Sequence, residues 1–253
     1  MGGKIEAYVD LASLYSFIAF VELQKVRETL KSHDVEVDFH PVFLGAINHG
    51  SSNKPPWTVP AKAAYGWKYD GTRSLARAGL SDLRPPKDLF VNGMTVLPLR
   101  ALAFIKQKYP RQTFETAFLY LYYCFWSPPN VLLSDPANLT KALCDVTAGF
   151  KGPESKRGEE ETARLFDLHQ VDEIMQATQT REMKDALKDR TQEALDRGAF
   201  GAPWIWATNA AGKSEPFFGS DRFHFVYTFL GLPFRDVTLL PPGEDAGGSK
   251  AKL

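Results

Sequence analysis

The apolar run at residues 5–9 stops at Asp10, and the period then changes, with Leu14, Phe17, Ile18 and Val21 at the i, i+3, i+4, i+7 positions of one helix face. Ser13 therefore stands where a helix begins. Val35-Glu36-Val37-Asp38-Phe39-His40-Pro41-Val42 alternates apolar and polar, as a half-buried strand does, so the opening reads as a β-α-β unit with a right-handed crossover. Residues 45–60 are polar and rich in Gly, Ser, Asn and Pro, which predicts a long loop. From 60 to 197 helical spacing recurs without a strand pattern, as in Phe114, Ala117, Phe118, Leu121 and Phe125 along residues 113–126. A last helix of this region, 181–197, ends at Gly198. Residues 204–208 and 215–218 then flank Asn209-Ala210-Ala211-Gly212, the pattern of a hairpin, and Ser220 is expected to cap a closing helix that reaches Leu230.

Composition narrows the function classes. The chain has 253 residues, 44% of them hydrophobic and 13% aromatic, enough for a sizeable core in one domain with a large insertion or in two small ones. Thirty Lys and Arg balance thirty Asp and Glu, so no overall field draws the chain to nucleic acid or an anionic membrane. The apolar run 117–126 has ten residues, too short to cross a bilayer, and the N-terminus lacks a basic-then-apolar leader pattern. The expectation is a globular protein with no nucleic-acid or membrane partner. Cys124 and Cys144 fit neither a zinc pattern nor a redox pair and are expected to be buried thiols. His33, His40, His49, His169 and His224 show no metal-ligand spacing, so no metal site is expected and no role is assigned to them. Nucleotide loops and hydrolase elbows are missing from the sequence. The charged stretch 155–163 reads as a solvated surface, and the Gly-, Pro- and charge-rich tail 241–253 as disordered.

Two features carry chemistry. Gly201-Ala202-Pro203, just before the hairpin, resembles the cis-proline loop of a thioredoxin-like domain. At the start of the first helix, where such a domain places a redox Cys-x-x-Cys, the chain has Ser13-Leu14-Tyr15-Ser16. A thiol-handling scaffold that offers a hydroxyl in place of its own sulfur should act on another molecule's thiol. Asp10-Leu11-Ala12-Ser13-Leu14-Tyr15-Ser16-Phe17, Ser51-Ser52-Asn53-Lys54-Pro55-Pro56, Gly198-Ala199-Phe200-Gly201-Ala202-Pro203 and Phe218-Gly219-Ser220-Asp221-Arg222 together, in this order, resemble the kappa-class glutathione transferases over about residues 4–235. The resemblance implies an α/β fold: a thioredoxin-like, glutathione-binding domain built from 1–60 and 198–240, interrupted by a large all-helical, DsbA-like insertion at 61–197, with a tail at 241–253. It also implies a homodimer, glutathione as the thiol substrate, and Ser13 as the catalytic hydroxyl. Leu14 stands where that family's pattern has proline, a change that keeps the helix start but frees φ.

A thiol reacts as its thiolate, so the site must stabilise an anion. A hydroxyl at a helix N-terminus does this with a charge-assisted hydrogen bond and the helix dipole; the plain alternative for Ser13 is a structural N-cap. A cis Ala202-Pro203 bond would present the Ala202 backbone to an extended peptide such as glutathione, or simply make a turn. Ser220 and Asp221, at the start of the closing helix, suit the carboxylate and ammonium of a γ-glutamyl end, or form an ordinary cap. The resemblance adds Asn53, with Lys54 and Lys62, as contacts to the cysteinyl and glycyl end. Trp57, Tyr65 and Trp67 either line a pocket for the electrophile or serve as core and dimer contacts.

The expected activity is glutathione transfer to small aryl halides or reduction of hydroperoxides. The alternatives are a glutathione-dependent 2-hydroxychromene-2-carboxylate-type isomerase and a non-catalytic thioredoxin-like binding or chaperone module. The terminal Ala251-Lys252-Leu253 resembles the Ser-Lys-Leu peroxisomal address, against mitochondrion or cytoplasm as the other locations. Removing Leu253 from a chain tagged at its N-terminus should move it out of peroxisomes under the microscope; an unchanged location would contradict that address.

Overall fold

The structure, a computed structural model, describes residues 2–153, 163–235 and 237. The charged stretch 155–163 lies outside the described residues except for Ala163, and the tail 241–253 with its terminal tripeptide lies wholly outside them. A four-stranded sheet has the order β2-β1-β3-β4, with β1 (Gly3–Val9), β2 (Val35–Pro41), β3 (Trp204–Asn209) and β4 (Ser214–Phe218). β1 pairs parallel with β2, Val9 opposite Pro41, and antiparallel with β3, Tyr8 opposite Trp204; β3 and β4 form the hairpin. The helix α1 (Leu14–Lys25) and the short α2 (Arg27–Ser32) make the crossover from β1 to β2.

Period-two burial divides the sheet between two cores. Ile5, Ala7 and Val9 of β1, Val35, Val37 and Phe39 of β2, and Ile205 and Ala207 of β3 face the larger core with α1. Tyr8 and Trp204 point the other way, onto Ile47 of α3 (Leu44–Gly50) and Ala194 of α11 (Arg181–Asp196). On this second face Arg197 reaches Glu6 at 3.1 Å and Lys106 reaches Asp38 at 2.6 Å, around a buried His40 that stacks on Tyr8. Burial holds the His40 imidazole below its ordinary value, while its neighbour Glu6 is pulled down to about 2, mainly by His40, whose Nε2 lies 3.3 Å from its carboxylate, and then by Lys4 and Arg197 against the opposing effect of burial. His40, to which the sequence assigned no role, is the centre of this network.

Between β2 and β3 the chain is helical: α3, α4 (Pro60–Tyr65), a π-helical turn (Gly66–Gly71), α5 (Thr72–Ala78), α6 (Leu89–Asn92), α7 (Val96–Lys108), α8 (Arg111–Trp126), α9 (Pro136–Asp145), α10 (Leu168–Ala177) and α11. The closing helix is α12 (Phe223–Phe229). Phe114, Ala117, Phe118, Leu121 and Phe125 are buried along α8, as their spacing predicts. Its ring ridge meets α1: Tyr122 lies parallel to Phe17 with centroids 4.6 Å apart and to Phe118 at 4.9 Å, while Phe20 bridges Phe118 and the strand residue Phe39. Residues 89–108 are apolar enough over 20 residues to span a membrane by length and composition. They form two helices, however, broken at Gly93–Thr95, and Leu99, Leu102 and Ile105 are fully buried in the larger core.

Several expectations need correction. The predicted loop 45–60 contains α3, a helix of weak local propensity that is held by tertiary contacts: Ile47 is fully buried and the Leu44 amide is taken by Asp10. Ser220 does not cap α12, because Gly219-Ser220-Asp221 form a bend before it; Arg222 is the N-cap residue, and its donor-only side chain accepts no cap bond. Cys124 and Cys144 are half-buried rather than buried, and neither is in a disulfide.

Phe20 joins the sheet, α1 and α8 through three ring contacts. Phe20→Ala should therefore lower the unfolding free energy by about 3–5 kcal/mol in urea denaturation; a loss under about 1 kcal/mol would mean that this ring ridge is not a main support of α1.

Candidate active site

α1 begins because Ser13 caps it. Ser13 has extended dihedrals (φ −97°, ψ 114°), and its Oγ accepts a hydrogen bond from the Ser16 amide at 3.1 Å. Its hydroxyl proton goes across the site: Ser13 Oγ donates to the Ala202 carbonyl at 2.8 Å. The Ala202-Pro203 bond is cis. Hence the serine and the proline loop, 189 residues apart in sequence, are directly bonded. The carbonyl expected to be open to a peptide is thus engaged by Ser13, so a ligand must share it or displace the hydroxyl. Leu14 occupies the first helical position in place of proline, and its Cδ2 packs close to Gly71 at the end of the π-helical turn, a contact that proline has no side chain to make.

Asp10, quoted only as part of a motif, proves to organise this end of the molecule. It is fully buried, and its carboxylate accepts from the Ala12 amide at 2.9 Å, the Leu44 amide at 2.6 Å and the Thr95 hydroxyl at 2.7 Å. Its own carbonyl accepts from the Ser13 amide at 3.1 Å. One side chain thereby fastens the β1–α1 loop, the start of α3 and the start of α7. No ion pair accompanies it among the described residues. Burial raises its carboxyl to about 6, against the lowering effect of the three donors.

Other predicted residues gather to differing degrees. Asn53 Nδ2 donates to the Phe200 carbonyl at 2.6 Å, and Asn53 Oδ1 accepts from the Lys54 amide, which fixes the 51–56 loop against the segment before the cis-proline. The Gly219 amide donates to the Pro203 carbonyl at 3.2 Å and so brings Ser220 and Asp221 beside the same proline. Gly219 has φ +95°, a left-handed conformation that favours glycine. Asp221 is exposed and paired with Arg222. Lys62 is exposed on α4 and forms no ion pair among the described residues. Trp57 lies in the 3-10 turn Pro56–Thr58, with its side chain outside the described residues.

Of the remaining aromatics, Tyr65 is half exposed and donates to Asp70 at 3.1 Å. Trp67 is a packing residue: it stacks parallel to Trp126, whose indole N–H donates to the Leu11 carbonyl at 2.8 Å and so braces the loop before Ser13. The electrophile-pocket expectation thus splits, leaving Tyr65 exposed and Trp67 structural. Sequence reading missed Tyr15. It sits in the first turn of α1 and is partly exposed; burial raises its phenol, and Asp70, Asp221 and Tyr65 raise it further, so it stands between the insertion and the Ser220-Asp221 bend. It also missed exposed Phe90, Val91 and Met94, beside Gly93, which approaches Ala12. Their short, irregular helix has no periodicity to read.

No family model matches the chain. It is 27% identical to glutathione S-transferase kappa 1 of Caenorhabditis elegans, covering 99% of this chain and 98% of the relative. With glutathione S-transferase kappa 1 of Homo sapiens it shares 26% identity, covering 96% of each. Among solved structures, a 2-hydroxychromene-2-carboxylate isomerase superposes with a TM-score of 0.61 at 15% identity, covering 90% of this chain and 94% of that one. A probable DsbA oxidoreductase from Streptomyces coelicolor superposes with a TM-score of 0.62 at 15% identity and 97% coverage of both. The fold is therefore the DsbA-like, thioredoxin-type α/β fold with a helical insertion, and the sequence is similar to kappa-class glutathione transferases over nearly its whole length.

The Asp10 carboxyl titrates higher folded than unfolded, so its stabilising share is complete below about pH 4 and is lost as pH rises through 6, a change of about 3 kcal/mol. Asn at this position does not titrate. In urea unfolding, the advantage of the native chain over Asp10→Asn should shrink by about 2–3 kcal/mol from pH 4 to pH 7; parallel pH profiles would contradict the buried-carboxyl account.

Proposed function

We propose that the chain is a glutathione transferase of the kappa class, in which Ser13 holds the bound glutathione sulfur as its thiolate. The observation that carries this reading is the 2.8 Å bond joining the Ser13 hydroxyl, at the N-terminus of α1, to the carbonyl of the cis-proline loop. It places a hydrogen-bond donor and a helix dipole at one point, in a fold whose redox members put sulfur there. The names and nearly full-length match of the relatives support the transferase over the isomerase, whose solved structure shares the fold alone.

In this reading the tripeptide runs along the backbone at Ala202-Pro203, its γ-glutamyl end meets Ser220 and Asp221, and Asn53 supports the loop beside its other end. On binding, the Ser13 proton turns from the Ala202 carbonyl to the sulfur while the Ser16 amide keeps the oxygen in place. The thiol proton leaves to solvent. The thiolate then attacks an electrophile such as an aryl halide, forming a carbon–sulfur bond as halide departs, or attacks the terminal oxygen of a hydroperoxide, breaking the O–O bond to release an alcohol and leave a glutathione sulfenic acid, which a second glutathione converts to disulfide and water. The exposed side chains of Tyr65, Phe90, Val91 and Met94 are the apolar surface on which we place such a substrate.

A charge-assisted bond contributes roughly 1.5–3 kcal/mol, from which the lost bond to Ala202 takes about 1 kcal/mol, while the helix dipole is retained when the hydroxyl is removed. Ser13→Ala should therefore raise the thiol pKa of bound glutathione by roughly 0.5–1.5 units, read from thiolate absorbance against pH. Equal pKa values in the two proteins would refute this role for Ser13.

A further inference from the structure

Ser16 stands at the third position of α1, one turn from Ser13, and is fully buried. Its backbone amide already bonds Ser13 Oγ, yet its hydroxyl has no hydrogen-bond partner among the described residues. A buried hydroxyl without a partner is costly, and native proteins rarely keep one without a reason. Helical side chains tilt toward the N-terminus, so that of Ser16 leans back over the turn that begins at Ser13, whose Oγ the Ser16 amide already bonds at 3.1 Å. The other buried side chains of α1, among them Phe17, Ile18 and Phe20, are apolar, so the helix itself offers no alternative side-chain partner.

We propose that Ser16 is a positioning residue for the thiolate: its hydroxyl lacks a partner in the free protein and donates to Ser13 Oγ once Ser13 turns its own proton from Ala202 to a bound sulfur. The inference rests on the reading of Ser13 given above. Ser13 Oγ gains negative character as it donates to an anion and becomes a better acceptor, and a chain of two hydroxyls polarises cooperatively. The proposal asks of Ser16 a rotation about χ1, in a residue whose amide already bonds that acceptor at 3.1 Å. The bond is strongest when the thiolate is present, because Ser13 Oγ is then the better acceptor, which favours the ionised ligand over the neutral thiol.

The test compares native protein, Ser13→Ala and Ser16→Ala with glutathione as the probe. The measurements are thiolate absorbance against pH, glutathione affinity below pH 5 where the ligand is a thiol, and thermal unfolding without ligand. Ser16→Ala should raise the bound-thiol pKa by about 0.5–1 unit, leave thiol-form affinity within about twofold, and leave the melting temperature equal or slightly higher, because an unpaired buried group has been removed. A plain structural serine, bonded back to its own helix, would instead lower the melting temperature and leave the thiol pKa unmoved, which would overturn the proposal. If Ser13→Ala raises the thiol pKa and Ser16→Ala does not, the inference about Ser16 falls alone. If neither does, the reading of Ser13 falls with it.

Discussion

A buried carboxyl group with no ion-pair partner among the described residues holds the working end of this molecule together. Asp10 closes β1, and its side chain collects the amides that begin two segments and the hydroxyl that begins α7. Without those three donors the carboxyl would be costly to bury; without the carboxyl three chain segments would lose their shared acceptor. The position of Ser13 follows from this, since its amide is bound to the Asp10 carbonyl and its hydroxyl is then within reach of Ala202. The insertion is tied to the sheet domain through the same point by Thr95, and Trp126 adds a second tie at Leu11.

Much of the framework was legible in the chain itself. Period two in residues 35–42 and the apolar spacing after Ser13 mark β2 and α1, and the aromatic face of 113–126 marks α8, because each buries one face along a regular element. What escaped notice depends on contacts distant in sequence. α3 looks like a loop because its residues are poor helix formers, and it exists because Asp10 and the second core hold it. Thr95 and Trp126 are unremarkable as letters; only the folded chain brings them to the loop before Ser13.

The site was readable in part, for the same reason. Serine at a helix start and Gly-Ala-Pro before a strand are local signals, and both lie where expected. The assignment of Ser220 as a cap failed because the bend at Gly219 delays α12 by two residues, which a sequence pattern does not register. Trp67 and Tyr65, equivalent as aromatic neighbours in the chain, separate once packing is known: one braces Trp126 and the other faces solvent. Tyr15 was passed over because an aromatic residue in a first helical turn carries no distinguishing spacing.

Chemically, a serine that donates to a backbone carbonyl in the free protein is poised for exchange, since a thiolate is a stronger acceptor than the carbonyl it replaces. The most direct test is a crystal structure of the protein with glutathione. The sulfur is expected within about 3–3.5 Å of Ser13 Oγ, beside the Ala202-Pro203 loop, with the Ser13–Ala202 bond broken or lengthened. A tripeptide bound with its sulfur in another cleft, and that bond intact, would contradict the account.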